Sequence, residues 1–267
     1  MSTPYSYTTL LILSGKEGAA DYRGLVFNPD GSQCYLYEDS VKQINTYQLS
    51  TPWLVSSAII TGSSLTVPTY GNSFAISYDG RYVFFSSAST IYQYTLGTPW
   101  VLSTASLTRT KAFSHSVYGI AFSSTGGYLY VTTYTDLYQY SLTSWNVSTV
   151  TLVGSVAYSL GTIYTPNGLH MSPYDWRLYI SGYNLGNRLV RIDFAEKYNI
   201  AGATQTNESL TGSYASISGT GVFFPPTEPS MYIVNAYHEV YQFVSTAYEP
   251  PQGIFWCNFH GQTEILT

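Results

Sequence analysis

The sequence predicts an all-β chain folded as one five-bladed β-propeller, with four antiparallel strands to a blade and the ring closed by the N-terminal strand. Three observations predict it. A unit of four short apolar runs recurs with a period of about 47 residues, which is the spacing of propeller blades. The runs are parted by turn residues and show no helical stretch. Finally, the chain begins and ends part-way through the unit.

The first run of each unit is apolar and stops at a turn: Leu25–Gly31, Phe74–Gly80 and Ile120–Gly126. Asp-Gly at 30–31 and 79–80 is expected to supply the positive φ values of a tight hairpin. Second strands follow at 34–37, 82–85 and 128–131, and third strands at 43–47, 91–94 and 137–140. A signpost comes next, Ser50-Thr-Pro-Trp53, Gly97-Thr-Pro-Trp100 and Thr143-Ser-Trp145, leading into a fourth strand such as 55–60. Runs this continuously apolar suit blades that stack face to face and bury both sides of an inner strand.

Two degenerate units complete the count. One contains Leu169–Pro173, Arg177–Ile180 and Leu189–Ile192; the other contains Val222–Pro225, Met231–Val234 and Val240–Phe243. Ser2-Thr-Pro-Tyr5 matches the signpost, so Thr9–Leu13 reads as a fourth strand without a blade of its own. The last unit stops at its signpost, Ser245-Thr-Ala-Tyr248, lacking that strand. Residues 8–13 are therefore expected to pair with 239–244, and residues 1–248 to form the propeller. Burying two of the leucines at 10–13 there would contribute roughly 3–6 kcal/mol. Residues 249–267, with the aromatic run Ile254–Phe259, form a tail that packs on the propeller or docks to a partner.

Composition narrows the function. Only 9% of residues are charged and 28 are tyrosine, a balance that suits pleated surfaces whose solubility rests on hydroxyl groups. Rigid aromatic rings also suit adhesion, because they make contact at low entropic cost. A net charge of −5 argues against a nucleic-acid or anionic-membrane partner. The first residues lack the basic and apolar regions of a signal peptide, so the product is expected to be soluble where it is made, without membrane insertion. Cys34 and Cys257 form no metal motif, and a single bridge between them stays open.

No strong catalytic motif is present, so neither catalytic residues nor a cofactor is expected. Asp30, Asp79 and Asp175 fall at turns, and His115, His170 and His238 occupy non-equivalent places, so no shared metal site is expected. Trp53, Trp100 and Trp145, with Tyr5, Tyr198 and Tyr248 in the same slot, read as blade packing in preference to sugar platforms. The candidate ligand-binding residues stand immediately before the inner strands, where a propeller's central tunnel has its mouth: Arg23, Asn72, Tyr118, Asn167 and Thr220. Arg and Asn hold carboxylates or sugar hydroxyls, and Tyr stacks on a pyranose. The alternative is that these groups cap strand ends.

The run Tyr92-Gln-Tyr-Thr-Leu-Gly-Thr-Pro-Trp-Val-Leu-Ser-Thr-Ala105 resembles the repeats of uncharacterised propeller proteins of bacteriophages and aquatic bacteria. The resemblance covers nearly the whole chain, with departures in blades four and five. It implies a virion component of tail or fibre, made in the host cytoplasm, whose partners are other virion proteins or a host-surface glycan. Blade number and length are also similar to those of tachylectin-type lectins, which implies the alternative of a free carbohydrate-binding protein. A lactonase- or glycosidase-like enzyme is the third reading, and would need convergent carboxylates or a tunnel metal.

Overall fold

The computed structural model describes residues 5–12, 22–159, 165–172, 174–183, 188–211, 219–226, 230–235 and 239–245. They form an all-β, five-bladed propeller. Blade one is β2 (Tyr22–Phe27), β3 (Gln33–Glu38), β4 (Gln43–Leu49) and β5 (Ala58–Thr66). Blade two is β6 (Ser73–Ile76), β7 (Tyr82–Ser87), β8 (Thr90–Leu96) and β9 (Ala105–Ala112). Blade three is β10 (Ile120–Phe122), β11 (Tyr128–Thr132), β12 (Asp136–Thr143) and β13 (Asn146–Ala157). Blade four is β14 (Thr165–Met171), β15 (Arg177–Tyr183), β16 (Arg188–Asp193) and β17 (Thr204–Thr211). Blade five is β18 (Gly219–Phe223), β19 (Ser230–Asn235) and β20 (Glu239–Ser245), completed by β1 (Tyr5–Ile12).

The N-terminal strand closes the ring, and it is longer than the sequence suggested. Pairing with β20 runs from Tyr5↔Ser245 to Ile12↔Glu239, with a bulge between Tyr7 and Thr9. Tyr-Ser-Tyr-Thr-Thr favours extended backbone, so the strand starts at Tyr5, inside the presumed signpost. β1 also pairs in parallel with β17 (Tyr5↔Leu210, Ser6↔Thr211), which joins blades four and five into one eight-stranded sheet. The side chains of 10–13, residues 246–248, the 249–267 tail, His238 and Cys257 lie outside the described residues. Cys34 is a buried free thiol, and burial pushes its pKa up.

Two local expectations need correction. In the two Asp-Gly turns the glycine alone adopts positive φ, Gly31 at 71° and Gly80 at 69°. Gly31 N–H bonds to the Asn28 carbonyl, and the Asp30 carboxylate accepts from Ser32 N–H at 2.9 Å. The aspartate thus steadies the turn through its side chain instead of adopting the left-handed conformation. The fourth strand also starts later than residue 55. Val55–Ser57 and Leu102–Thr104 form 3-10 turns, because Ser57 and Thr104 bond back to the carbonyls of Leu54 and Val101, both at 2.7 Å.

The signposts do pack between blades. Trp53, Trp100, Trp145 and Tyr198 all hold φ of 65–66°, and the N–H of each bonds to the carbonyl of its hairpin residue. A Cβ on Gly31, Gly80 or Gly126 would stand 2.2–2.3 Å from a tryptophan ring, so turn glycine and signpost tryptophan require each other. Each signpost is also gripped by the preceding blade. Tyr232 donates its hydroxyl to the Trp53 carbonyl at 2.6 Å, Tyr35 to Trp100 at 2.8 Å and Tyr130 to Tyr198 at 2.8 Å. Gln93 and Gln139 accept from the N–H groups of Val147 and Ile200 at 3.1 and 3.2 Å. Second- and third-strand residues of one blade therefore fix the next.

Candidate functional site

The five inner strands surround the propeller axis and approach closely at Gly24, Gly168 and Gly221. A Cβ on Gly221 would lie 2.7 Å from the Gly24 Cα, and one on Gly168 would lie 3.0 Å from the Gly221 Cα. Glycine stands there because neighbouring backbones fill the space that a side chain would need. From this waist a funnel widens towards the hairpin turns, with about 990 Å3 of empty space including the solvent at its mouth. All five blades line it. Val26, Ala75, Ile76, Phe122 and Phe224 give apolar wall, and Tyr78, Trp100, Trp145 and Pro226 stand towards the wide end. Tyr78 is 60% exposed.

The carboxylate and the imidazole of the wall, Asp175 and His170, both stand on blade four. Asp175 occupies the hairpin position that holds glycine in blades one to three, and it keeps the left-handed backbone at φ 61°. Its carboxylate is buried, accepting from Ser124 N–H at 2.8 Å and Ser124 Oγ at 2.6 Å, with Lys197 Nζ at 3.7 Å. The Asp175 side chain is thus a strut from blade four to blade three. Tyr198, smaller than tryptophan, leaves room for it and stacks on Tyr128 at 5.4 Å.

His170 also lines the funnel, on β14. Its ring packs on Phe223 at 4.7 Å and Phe224 at 6.0 Å. Burial pushes its pKa down to about 4, against the opposing effect of a hydrogen bond to the Phe224 backbone. Nε2 is buried and has no hydrogen-bond partner. At neutral pH the imidazole is uncharged, and Nε2 offers a lone pair. The hydroxyl of Ser181, directly opposite Gly168 in the β14–β15 ladder, is buried without a partner as well.

The five candidates chosen from sequence stand behind the waist, and none of them lines the funnel. Arg23 is tied to Asp39 at 3.3 Å and donates to the Gly71 carbonyl at 2.6 Å. Asn72 donates to the Val117 carbonyl at 2.9 Å, and Thr220 donates to the Tyr22 carbonyl. Arg23, Asn72 and Thr220 thereby reach the following blade. Asn167 is buried with Oδ1 unpartnered. Tyr118 stays half-buried beside exposed Tyr134, with 4.5 Å between ring centroids. Burial raises its hydroxyl pKa, reinforced by the hydrogen bond with Tyr134.

Among the other groups singled out, His115 bonds to the Tyr140 hydroxyl at 2.6 Å and stacks on Tyr138 at 4.2 Å. Among the described residues, no group of three or more His, Cys, Asp or Glu side chains is placed to hold a metal. Sequence reasoning passed over the funnel wall because Val26, Ala75 and Phe122 look like ordinary strand residues. The available signal was the polar His170 inside an otherwise apolar inner strand.

No family model matches the sequence, and no curated protein matches it. Among solved structures, a functionally unknown protein from Desulfotomaculum acetoxidans is similar, with 11% identity and a TM-score of 0.50. The match covers 81% of this chain and 63% of that one, so the chain spans less than two thirds of that structure, and the likeness is one of fold.

Proposed function

We propose that this chain is a non-enzymatic binding module of a virion tail or fibre, serving adhesion to the host surface or structural assembly. The observation that carries the binding reading is the funnel: a concave, mainly apolar cavity open on one face, with an exposed tyrosine at its rim. Aromatic edges around a cavity suit the apolar face of a sugar ring, and polar groups such as Ser124 and Ser172 stand between them. The virion setting rests on the repeats that resemble those of phage propellers. On the opposite face, the Tyr118–Tyr134 pair offers a second platform of the same chemistry.

The test is a host-glycan array probed with the intact protein and with Tyr78→Ala, alongside a panel of glycoside and lactone substrates. The expected outcome is glycan binding that weakens roughly tenfold in Tyr78→Ala, the loss of one stacking contact. Turnover of any substrate in the panel would overturn the non-enzymatic reading, and undiminished binding by Tyr78→Ala would move the site away from the funnel.

A further inference from the structure

Blade four carries the funnel's unusual chemistry, and the neighbouring blades show what is unusual about it. At equivalent places on the second strands, Ser86 donates to the Tyr118 carbonyl at 3.2 Å and Thr132 to the Pro166 carbonyl at 2.8 Å. Each closes the seam to the following blade. Ser181, their counterpart in blade four, makes no such bond. Its hydroxyl lies beside Gly168, where a Cβ would come within 2.0 Å of Oγ. His170, two residues along β14, shares that face of the blade and packs on Phe223 and Phe224 of blade five.

Unpartnered buried polar atoms are few in folded proteins, and each needs an explanation such as a solvent molecule or ligand that satisfies it. Here two of them sit on one blade face, and one belongs to a side chain that lines an apolar funnel. We propose that the funnel contains a subsite at the seam of blades four and five, which takes a neutral aromatic or alicyclic ring bearing a single hydroxyl or N–H donor directed at His170 Nε2.

The chemistry follows from the two nitrogens. Burial keeps the imidazole uncharged, and the Phe224 backbone favours the tautomer that leaves the unpartnered Nε2 as an acceptor. An anion would be desolvated against the apolar wall with no cation to pair it, and at this depth, below the sugar-facing rim, a polyol would strand its remaining hydroxyls against Val26, Ala75 and Phe224. An apolar ring with one donor satisfies both the wall and the nitrogen. Nε2 is buried, so binding entails a small displacement of the wall beside it, which exchanges an unpartnered acceptor for a bonded one.

This subsite rests on the funnel being the binding site proposed above. Phenol, anisole and benzoate are the probes, titrated into the full chain at neutral pH with the 15N shift of His170 Nε2 as reporter. Phenol is expected to bind at least tenfold more tightly than anisole, to move the Nε2 resonance upfield, and to outcompete benzoate. His170→Phe, which keeps the ring and removes the acceptor, should make phenol and anisole equal. Ala75→Leu narrows the funnel on blade two and should weaken phenol, which keeps the question decidable if His170→Phe does not fold. Equal binding of phenol and anisole by the unaltered protein, a preference surviving in His170→Phe, or phenol binding indifferent to Ala75→Leu would each overturn the subsite. Glycan binding that persists alongside such a result leaves the adhesion reading standing, so the two failures are distinguishable.

Discussion

Blades one to three and blade four solve one geometric problem with different side chains. In the first three, a left-handed glycine lies under a left-handed tryptophan, with a separation too small for any Cβ. Blade four keeps the same backbone angles with Asp175 and Tyr198. The outer strands differ in parallel. β4–β5, β8–β9 and β12–β13 each carry a bulge at the same level, whereas β16–β17 pairs without interruption from Arg188↔Ser209 to Asp193↔Thr204. The backbone path of the signpost is thus the constant of the repeat, and its filling varies. Where the filling changed, a carboxylate entered the funnel wall.

The largest effect is expected at the seam that blade four shares with blade five. Removing residues 1–12 strips β1 from both β20 and β17, exposing an unpaired edge. We expect insolubility, or a melting temperature lower by about 10–20 °C in differential scanning calorimetry. A truncated chain that melts like the intact one would show that β1 does not hold the ring closed.

The glycine–tryptophan pair is tested next. Gly80→Ala drives a Cβ into Trp100 at a left-handed position and should cost about 3 kcal/mol or more in urea unfolding. Asp175→Gly at the equivalent place loses the Ser124 bonds but relieves the backbone, and should cost no more than about 1–2 kcal/mol. Equal costs would mean that the two fillings are not alternatives.

The third experiment concerns the neutral histidine. His170 has a folded pKa of about 4, below its unfolded value of 6.5, so the unfolded chain binds the proton first as pH falls. Stability should therefore decline between pH 6.5 and pH 4, by up to about 3 kcal/mol from this group. His170→Phe should flatten that part of the profile in denaturant titrations at successive pH values.

The smallest effects belong to the inter-blade tyrosines. Tyr35→Phe or Tyr130→Phe removes one hydroxyl from a signpost carbonyl and should cost about 0.5–1.5 kcal/mol. Phe84 stands at the same place in blade two and stacks on Trp145 at 6.2 Å. Phe84→Tyr should be neutral or slightly stabilising by thermal melting.

How legible all this was in the sequence depended on whether a feature repeats. The three Leu/Phe/Ile-led inner strands and the Thr-Pro-Trp signposts recur nearly unchanged, so blade number and ring closure could be read directly. The 3-10 turns at Val55 and Leu102 could not, because Ser57 and Thr104 act through local carbonyls that a strand-like run conceals. Arg23, Asn72, Tyr118, Asn167 and Thr220 hold equivalent places before the inner strands, but the side on which the funnel opens is not written in them. The waist is set by how closely Gly24, Gly168 and Gly221 approach in space, a distance between blades that no single strand encodes. Asp175 was legible as a turn residue, while its bond to Ser124 across the blades was not.

The pairing of Tyr5 with Ser245 also sets a clock. Synthesis delivers β1 well before its partner strand β20, an interval of roughly 10–50 s at ordinary elongation rates of about 5–20 residues per second. Throughout that time β1 is an extended, β-prone segment with both edges open. Blades one to three are made of contacts local in sequence and can form as they emerge, whereas the last blade waits on a contact of very long sequence separation. Until β20 emerges, the edge of β1 is open to mispairing with a neighbouring copy, and closing the ring removes that edge.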